Sequence, residues 1–98
     1  MGHFVITFNL KWGDDYSARY KSFTDRVKQL AKSSWDETTS FYAIEANGTA
    51  ESICDELYIY TRFDSSTDAM VVIDLDNRKK AVKGQVSETA LLTRCLGF

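Results

Sequence analysis

Phe4, Ile6, Phe8 and Leu10 alternate with Val5, Thr7, Asn9 and Lys11, a period of two that predicts a first strand over residues 4–11. One of its faces is strongly apolar and the other is mixed, and the mixed face carries the amide of Asn9 near the strand's end. Trp12-Gly13-Asp14-Asp15 breaks the run, and either Asp can accept the free N–H groups of a helix that follows. There the period changes. Tyr16, Tyr20, Phe23, Val27 and Leu30 recur at steps of four, three, four and three, which predicts an amphipathic helix laying one stripe on a sheet.

Between Ser33 and Gly48 the chain turns to β-branched and aromatic residues, predicting a short strand near Trp35–Thr38 and a longer one near Ser40–Ala46. Asn47-Gly48-Thr49 supplies a turn and a cap. Ala50, Ile53, Cys54, Leu57 and Tyr60 or Thr61 then give a second helix. A polar loop, Asp64-Ser65-Ser66-Thr67, leads to AMVVIDL, residues 69–75, an apolar run of central-strand type that ends in an acid. Asp76-Asn77 reads as a two-residue hairpin turn, with a basic return strand over Arg78–Lys83 suited to a sheet edge. Ser87 can cap a short last helix through Leu96, with Gly97 available for its C-terminal turn.

The order β, α, β, β, α, β, then a strand and a short helix, predicts an α+β chain of ferredoxin-like architecture with an antiparallel sheet. Both main helices cover one face and leave the other open. With Val5, Thr7 and Asn9 on that open face together with Met70 and Val72, a two-fold sheet-on-sheet homodimer is the simplest way to bury it. The same parity puts Asp74 on the face that carries Asn9.

Ninety-eight residues make one domain, residues 1–98, with a limited core, so partners matter. A net charge of −2 and a pI near 5.3 give no global field toward phosphate or anionic lipid, so nucleic-acid binding would need a local patch. No stretch approaches the ~20 apolar residues of a membrane span. The opening residues MGHFVITFNL lack a basic leader and cleavage site, which leads us to expect a cytoplasmic protein without a membrane partner. Cys54 and Cys95, with no CxxC and a single histidine, read as buried free thiols. The Asn47-Gly48-Thr49 sequon is more simply a turn.

Arg78, Lys79, Lys80 and Lys83 form the one dense basic segment, and it has two readings. It can contact several phosphates with salt-dependent affinity, or it can protect an exposed edge from aggregation. Asp14 and Asp15 sit where a metal or substrate site can form, but helix capping explains them more simply. Trp12 and Trp35 fall at element boundaries, where closing the ends of the core is the plainer expectation and stacking on a base or subunit is the alternative. His3 has no ligand-spaced partner. No nucleotide loop, nucleophile elbow or HExxH motif is present.

The strings FVITFNLK, DYSARY, WDETTSFY, TAESICDEL and AMVVIDL, in that order, cover nearly the whole chain. They resemble the Cas-two-like superfamily, the small ferredoxin-like subunits of CRISPR adaptation complexes and their relatives, which include virulence-associated protein D type toxins. The resemblance implies a homodimer. It also implies a metal-dependent nuclease whose acid lies near the end of the first strand, facing its copy across the two-fold axis. The position that matches that acid is Asn9. A neutral amide offers one carbonyl and no charge to Mg²⁺, so the departure favours a non-catalytic, cofactor-free binding or accessory module linked to nucleic acid or to mobile-element defence. Two alternatives remain: a Mg²⁺-dependent endonuclease of RNA or DNA, of toxin or CRISPR type, that substitutes Asp74 for the missing acid; and a phage-borne or antitoxin-like protein-binding inhibitor using the acidic surface or the open sheet face.

Overall fold

A computed structural model describes residues 1–98. Eight elements follow in order: β1 (Gly2–Asn9), α1 (Tyr16–Leu30), β2 (Ser33–Trp35), β3 (Phe41–Ala46), α2 (Ala50–Ile59), β4 (Ala69–Asp74), β5 (Lys79–Gly84) and α3 (Thr89–Leu96). The five strands form one antiparallel sheet in the order β2-β3-β1-β4-β5. The first four strands have ferredoxin-like order, and β5 extends the sheet beyond β4. The fold is thus the α+β sandwich that the element order predicts.

Alternation along β1 places Phe4, Ile6 and Phe8 against the helices, and Leu10 continues that face just past the strand. Facing them are Phe23 and Val27 of α1 and Ile53, Cys54 and Leu57 of α2, all buried. Tyr16, Tyr20 and Leu30 complete the α1 stripe as partly buried neighbours of this core. Each large side chain removed from water here contributes roughly 1.5–3 kcal/mol. Capping of α2 is reciprocal: Thr49 accepts from the Ser52 amide while the Ser52 hydroxyl accepts from the Thr49 amide.

A buried ion pair closes the loop before β4. Asp68 is fully buried, takes the Arg19 guanidinium, and also accepts from the amides of Lys11 and Asp64 at 2.8 Å each and from the Thr67 hydroxyl at 3.1 Å. Every lone pair the carboxylate offers is directed at a donor, which offsets the cost of taking two charges out of water. The Asp68 carbonyl in turn receives the Gln85 amide at 2.7 Å. Gly84, at φ +84°, lies so close that a Cβ there would sit 2.0 Å from that carbonyl oxygen, so only glycine fits.

Several local expectations are corrected. β2 is Ser33–Trp35 rather than residues 35–38, because Ser33, Ser34 and Trp35 are the residues that pair with Glu45, Ile44 and Ala43. Neither Asp14 nor Asp15 caps α1; Asp15 occupies the cap position but its carboxylate accepts from Arg62 at 3.1 Å. The β4–β5 connection spans residues 75–78, not two, since Asp74 pairs with Lys79 and Arg78 takes the left-handed conformation (φ 53°). α3 starts at Thr89 after Glu88, itself at φ 53°, and Ser87 does not cap it. Cys54 is a buried free thiol whose pKa burial pushes up to about 11, whereas Cys95 is exposed on α3. No helix is long and apolar enough to cross a membrane.

Candidate binding face

In an antiparallel sheet directly paired residues point to the same side, so the register lists what each face presents. On the face away from α1 and α2, Trp35, Ala43, Val5, Ile73 and Lys80 form one row across all five strands. Phe41, Thr7, Val71 and Val82 form the next. Two polar or small rows flank these: Ser33, Glu45 and His3 on one side, and Asn9, Ala69 and Gly84 on the other. The open face is therefore an apolar band about 19 Å wide, from four strand spacings of ~4.8 Å, with polar margins.

Within that band Val5, Phe41, Ala43, Val71 and Ile73 are each partly accessible and no helix covers them fully. Trp35 lies at the β2 edge, 48% exposed, edge-on to Phe41 with ring centroids 6.0 Å apart. It does not close the core, as its boundary position suggests, because its register partner is Ala43 of the open face.

Met70 and Val72, expected here, are on the other side. Met70 pairs with Phe8 and Val72 with Ile6, and both are fully buried beneath the helices. The face they were assigned is occupied by Ala69, Val71 and Ile73. Every position of AMVVI is apolar, so the sequence holds no period of two to set the parity. Asp74, placed by the same parity on the face of Asn9, does share a side with Met70 and Val72, but that side is the buried one.

Asp74 is buried because the turn consumes it. Its Oδ1 accepts from the amides of Asp76 and Asn77 at 3.0 and 3.1 Å, and its Oδ2 from the Asn77 side chain at 2.9 Å. The Asn77 side-chain hydrogen bond is the main reason its carboxyl is held below the usual range, and burial works against it. Asn9 pairs with Ala69 at the opposite end of β4, whereas Asp74 pairs with Phe4. The two lie five residues apart along the strand, roughly 17 Å, and on opposite faces. Asp74 therefore cannot stand in for the acid that Asn9 lacks. Asn9 itself is exposed at the margin of the apolar band.

The basic segment does not present a single surface. Lys79 and Lys83 share the helix side with Asp74 and Met70, while Lys80 shares the open side with Ile73. Lys83 sits 4.7 Å over the Tyr58 ring. Lys80 donates to the Thr93 hydroxyl at 2.9 Å and the Phe98 carbonyl at 2.8 Å. Arg78 lies 5.1 Å over the Phe98 ring and donates to the Gly97 carbonyl at 3.3 Å. Three of the four cations are thus engaged within the chain, two of them holding the C-terminal end of α3 to β5. α3 has no buried residue, and Leu91 is exposed.

At the polar margin the ring Nδ1 of His3 lies 2.9 Å from the Asp76 carboxylate, and its Nε2 lies 4.0 Å from that of Glu45. These partners are not legible from spacing along the chain, because Asp76 is 73 residues away and reaches His3 through the β1–β4 pairing. No three His, Cys, Asp or Glu side chains converge in a geometry able to hold a metal ion. On the helix side, burial pushes the Tyr42 hydroxyl up to about 12, with the Asp36 carboxylate beside it adding to the rise. No family model matches this chain, and comparison with curated proteins and with solved structures found no significant match.

Proposed function

We propose that this chain acts by binding rather than catalysis, as a cytoplasmic homodimer joined through the open sheet face, serving as an accessory module in nucleic-acid or mobile-element defence. The observation that carries the reading is the open face itself. Two largely apolar rows run across the sheet, one over all five strands and one over four, Asn9 at the margin carries no charge, and the acid offered as its substitute is spent on a turn at the far end of the opposite face.

Two rows ~7 Å apart over ~19 Å give a contiguous patch on the order of 300 Å², comparable to the largest apolar patch of a typical monomer, which is often functional. A stable interface buries about 800 Å² per partner. Reaching that takes in Trp35 at one edge and the flank of α3, with exposed Leu91, at the other. A second copy of the same face is a fitting occupant because its apolar band and polar margins repeat under a two-fold axis. The link to nucleic acid and defence comes from the resemblance to the Cas-two-like superfamily; on this chain Lys79 is the one unengaged cation of the basic segment, and it shares the helix side with Lys83, which lies over the Tyr58 ring.

Thr7 is exposed between Phe41 and Val71, so Thr7→Glu places a charge in the centre of the band without touching the core. Sedimentation velocity at ~50 µM is expected to give two chains for the wild type and one for Thr7→Glu, with unchanged circular dichroism. A wild-type protein that sediments as one chain removes the dimer. Anisotropy of labelled RNA and DNA oligomers at low salt, compared with Lys79→Glu/Lys83→Glu, tests the nucleic-acid link separately. Affinity indifferent to those charges removes that link and leaves the dimer standing.

A further inference from the structure

Two exposed features stand at opposite edges of the open face. At the β2 edge the Trp35 indole is half in solvent, held edge-on by Phe41. At the β5 edge stands α3, a helix of eight residues with no buried side chain. Helices this short do not persist in water without tertiary packing. Leu92 and Leu96, one turn apart, are half-buried, whereas Ala90, Leu91 and Arg94 share the exposed side and line a shallow hollow there. Leu91 is half exposed, and no ion pair of the chain includes Arg94.

The two features are chemically complementary. The hollow offers apolar walls to an indole and a guanidinium to lie on its face, and Trp is the ring that attracts a cation most strongly. Within one chain they cannot meet, because β2 and β5 are four strand spacings apart, roughly 19 Å. A second copy removes that obstacle. Since β1 is the central strand of the five, turning one sheet over about an axis along β1 lays its β5 on the partner's β2 and keeps each row over itself. Trp35 and Lys80 belong to one row, and the Lys80 ammonium holds Thr93, the residue before Arg94. The same operation therefore brings Trp35 of each copy to α3 of the other, twice per dimer. An axis across the strands would instead set β5 on β5 and bring the two β2 edges together.

The two apolar rows supply on the order of 300 Å² toward the about 800 Å² per partner of a stable interface. An aromatic side chain buries about 150–250 Å². On Trp35 about half of that is still open to be covered, and the hollow that receives the ring is covered with it. We infer that, on the reading of the open face as the dimer interface, the dimer is clasped at both flanks: each copy seats its Trp35 indole in the hollow that Ala90, Leu91 and Arg94 form on the other copy's α3.

Cross-linking reads the clasp directly. In a Cys95→Ser background, Trp35→Cys and Leu91→Cys chains are prepared separately, mixed at ~50 µM and oxidised mildly. A disulfide-linked pair is expected from the mixture and from neither chain alone. Linkage of the Trp35→Cys chain to itself, with none across the mixture, would put the axis across the strands and overturn the clasp while the dimer stands. Absence of any linkage, beside a wild type that sediments as two chains, would overturn it equally. Sedimentation equilibrium gives a second reading that needs no cysteine: Trp35→Ala is expected to raise the dimer dissociation constant about tenfold and Arg94→Ala severalfold, with circular dichroism unchanged. An unchanged constant in Trp35→Ala would also overturn the clasp. A wild type that sediments as one chain removes the dimer reading itself, and the clasp with it.

Discussion

The two faces of the central sheet are made by the same strands and differ in almost every physical respect. On the helix side, Phe4, Ile6, Phe8, Ile44, Met70 and Val72 are sealed beneath α1 and α2. On the other, Val5, Phe41, Ala43, Val71 and Ile73 are comparably apolar and only half covered. Composition does not separate the faces; what packs on them does. An apolar side chain on the first face stabilises the monomer, whereas one on the second stays partly in contact with water. The polar residues divide in the same way. Asp68 and Asp74 on the helix side are locked by hydrogen bonds, whereas Thr7 and Asn9 on the open side project into solvent.

The sharpest way to break this contrast is to truncate one residue of each kind. Phe23→Ala removes a fully buried ring and is expected to cost about 3–5 kcal/mol in urea unfolding. Ile73→Ala, measured at a concentration where the protein is dissociated, is expected to cost under ~1.5 kcal/mol. Equal losses would mean that the open face is core. Next in size is the Arg19–Asp68 pair: Asp68→Ala strands a buried guanidinium and three further donors, for about 3 kcal/mol. Replacing both partners, as Arg19→Met with Asp68→Leu, is expected to restore part of that loss in thermal unfolding. A double variant worse than the single would show the pair to be worth more than a hydrophobic replacement.

The smallest effect is the pH dependence of the Asp74 turn. Hydrogen bonds from Asn77 lower its pKa in the folded state, so the carboxylate form stabilises the fold. That contribution is full above the unfolded pKa of ~3.9 and is lost as pH falls through the lower folded value. Asp64, lowered chiefly by the Ser66 hydroxyl, adds to the same acid limb. Unfolding free energy measured between pH 5 and 2 is therefore expected to fall less steeply in Asp74→Asn than in the wild type. Parallel profiles would mean that the turn does not depend on the charge.

The elements most legible from sequence are those with a clear period. The α1 stripe from Tyr16 to Leu30 and the alternation of β1 reach the core as their spacing implies. Thr49 caps α2 because a hydroxyl before an apolar helix has few better uses. Legibility failed where the pattern carried no contrast. AMVVI is apolar throughout, so nothing within the run sets which side meets the helices, and Asp74 just after it is buried by its own turn. Trp12, whose boundary position suggests that it closes an end of the core, stays 79% exposed and packs on Tyr16 instead.

By itself, then, the sequence determined the order of elements, the α+β class and the core-facing stripes of β1, α1 and α2, because helix and strand periods are local properties of the chain. Only the tertiary structure decided which side of the sheet Met70, Val72 and Asp74 occupy, that Asn9 and Asp74 lie far apart, that the basic segment is split between two faces, and that His3 meets Asp76. Each of these depends on the register between strands distant in sequence. A shift of one residue in that register would exchange every side chain between the sealed face and the open one.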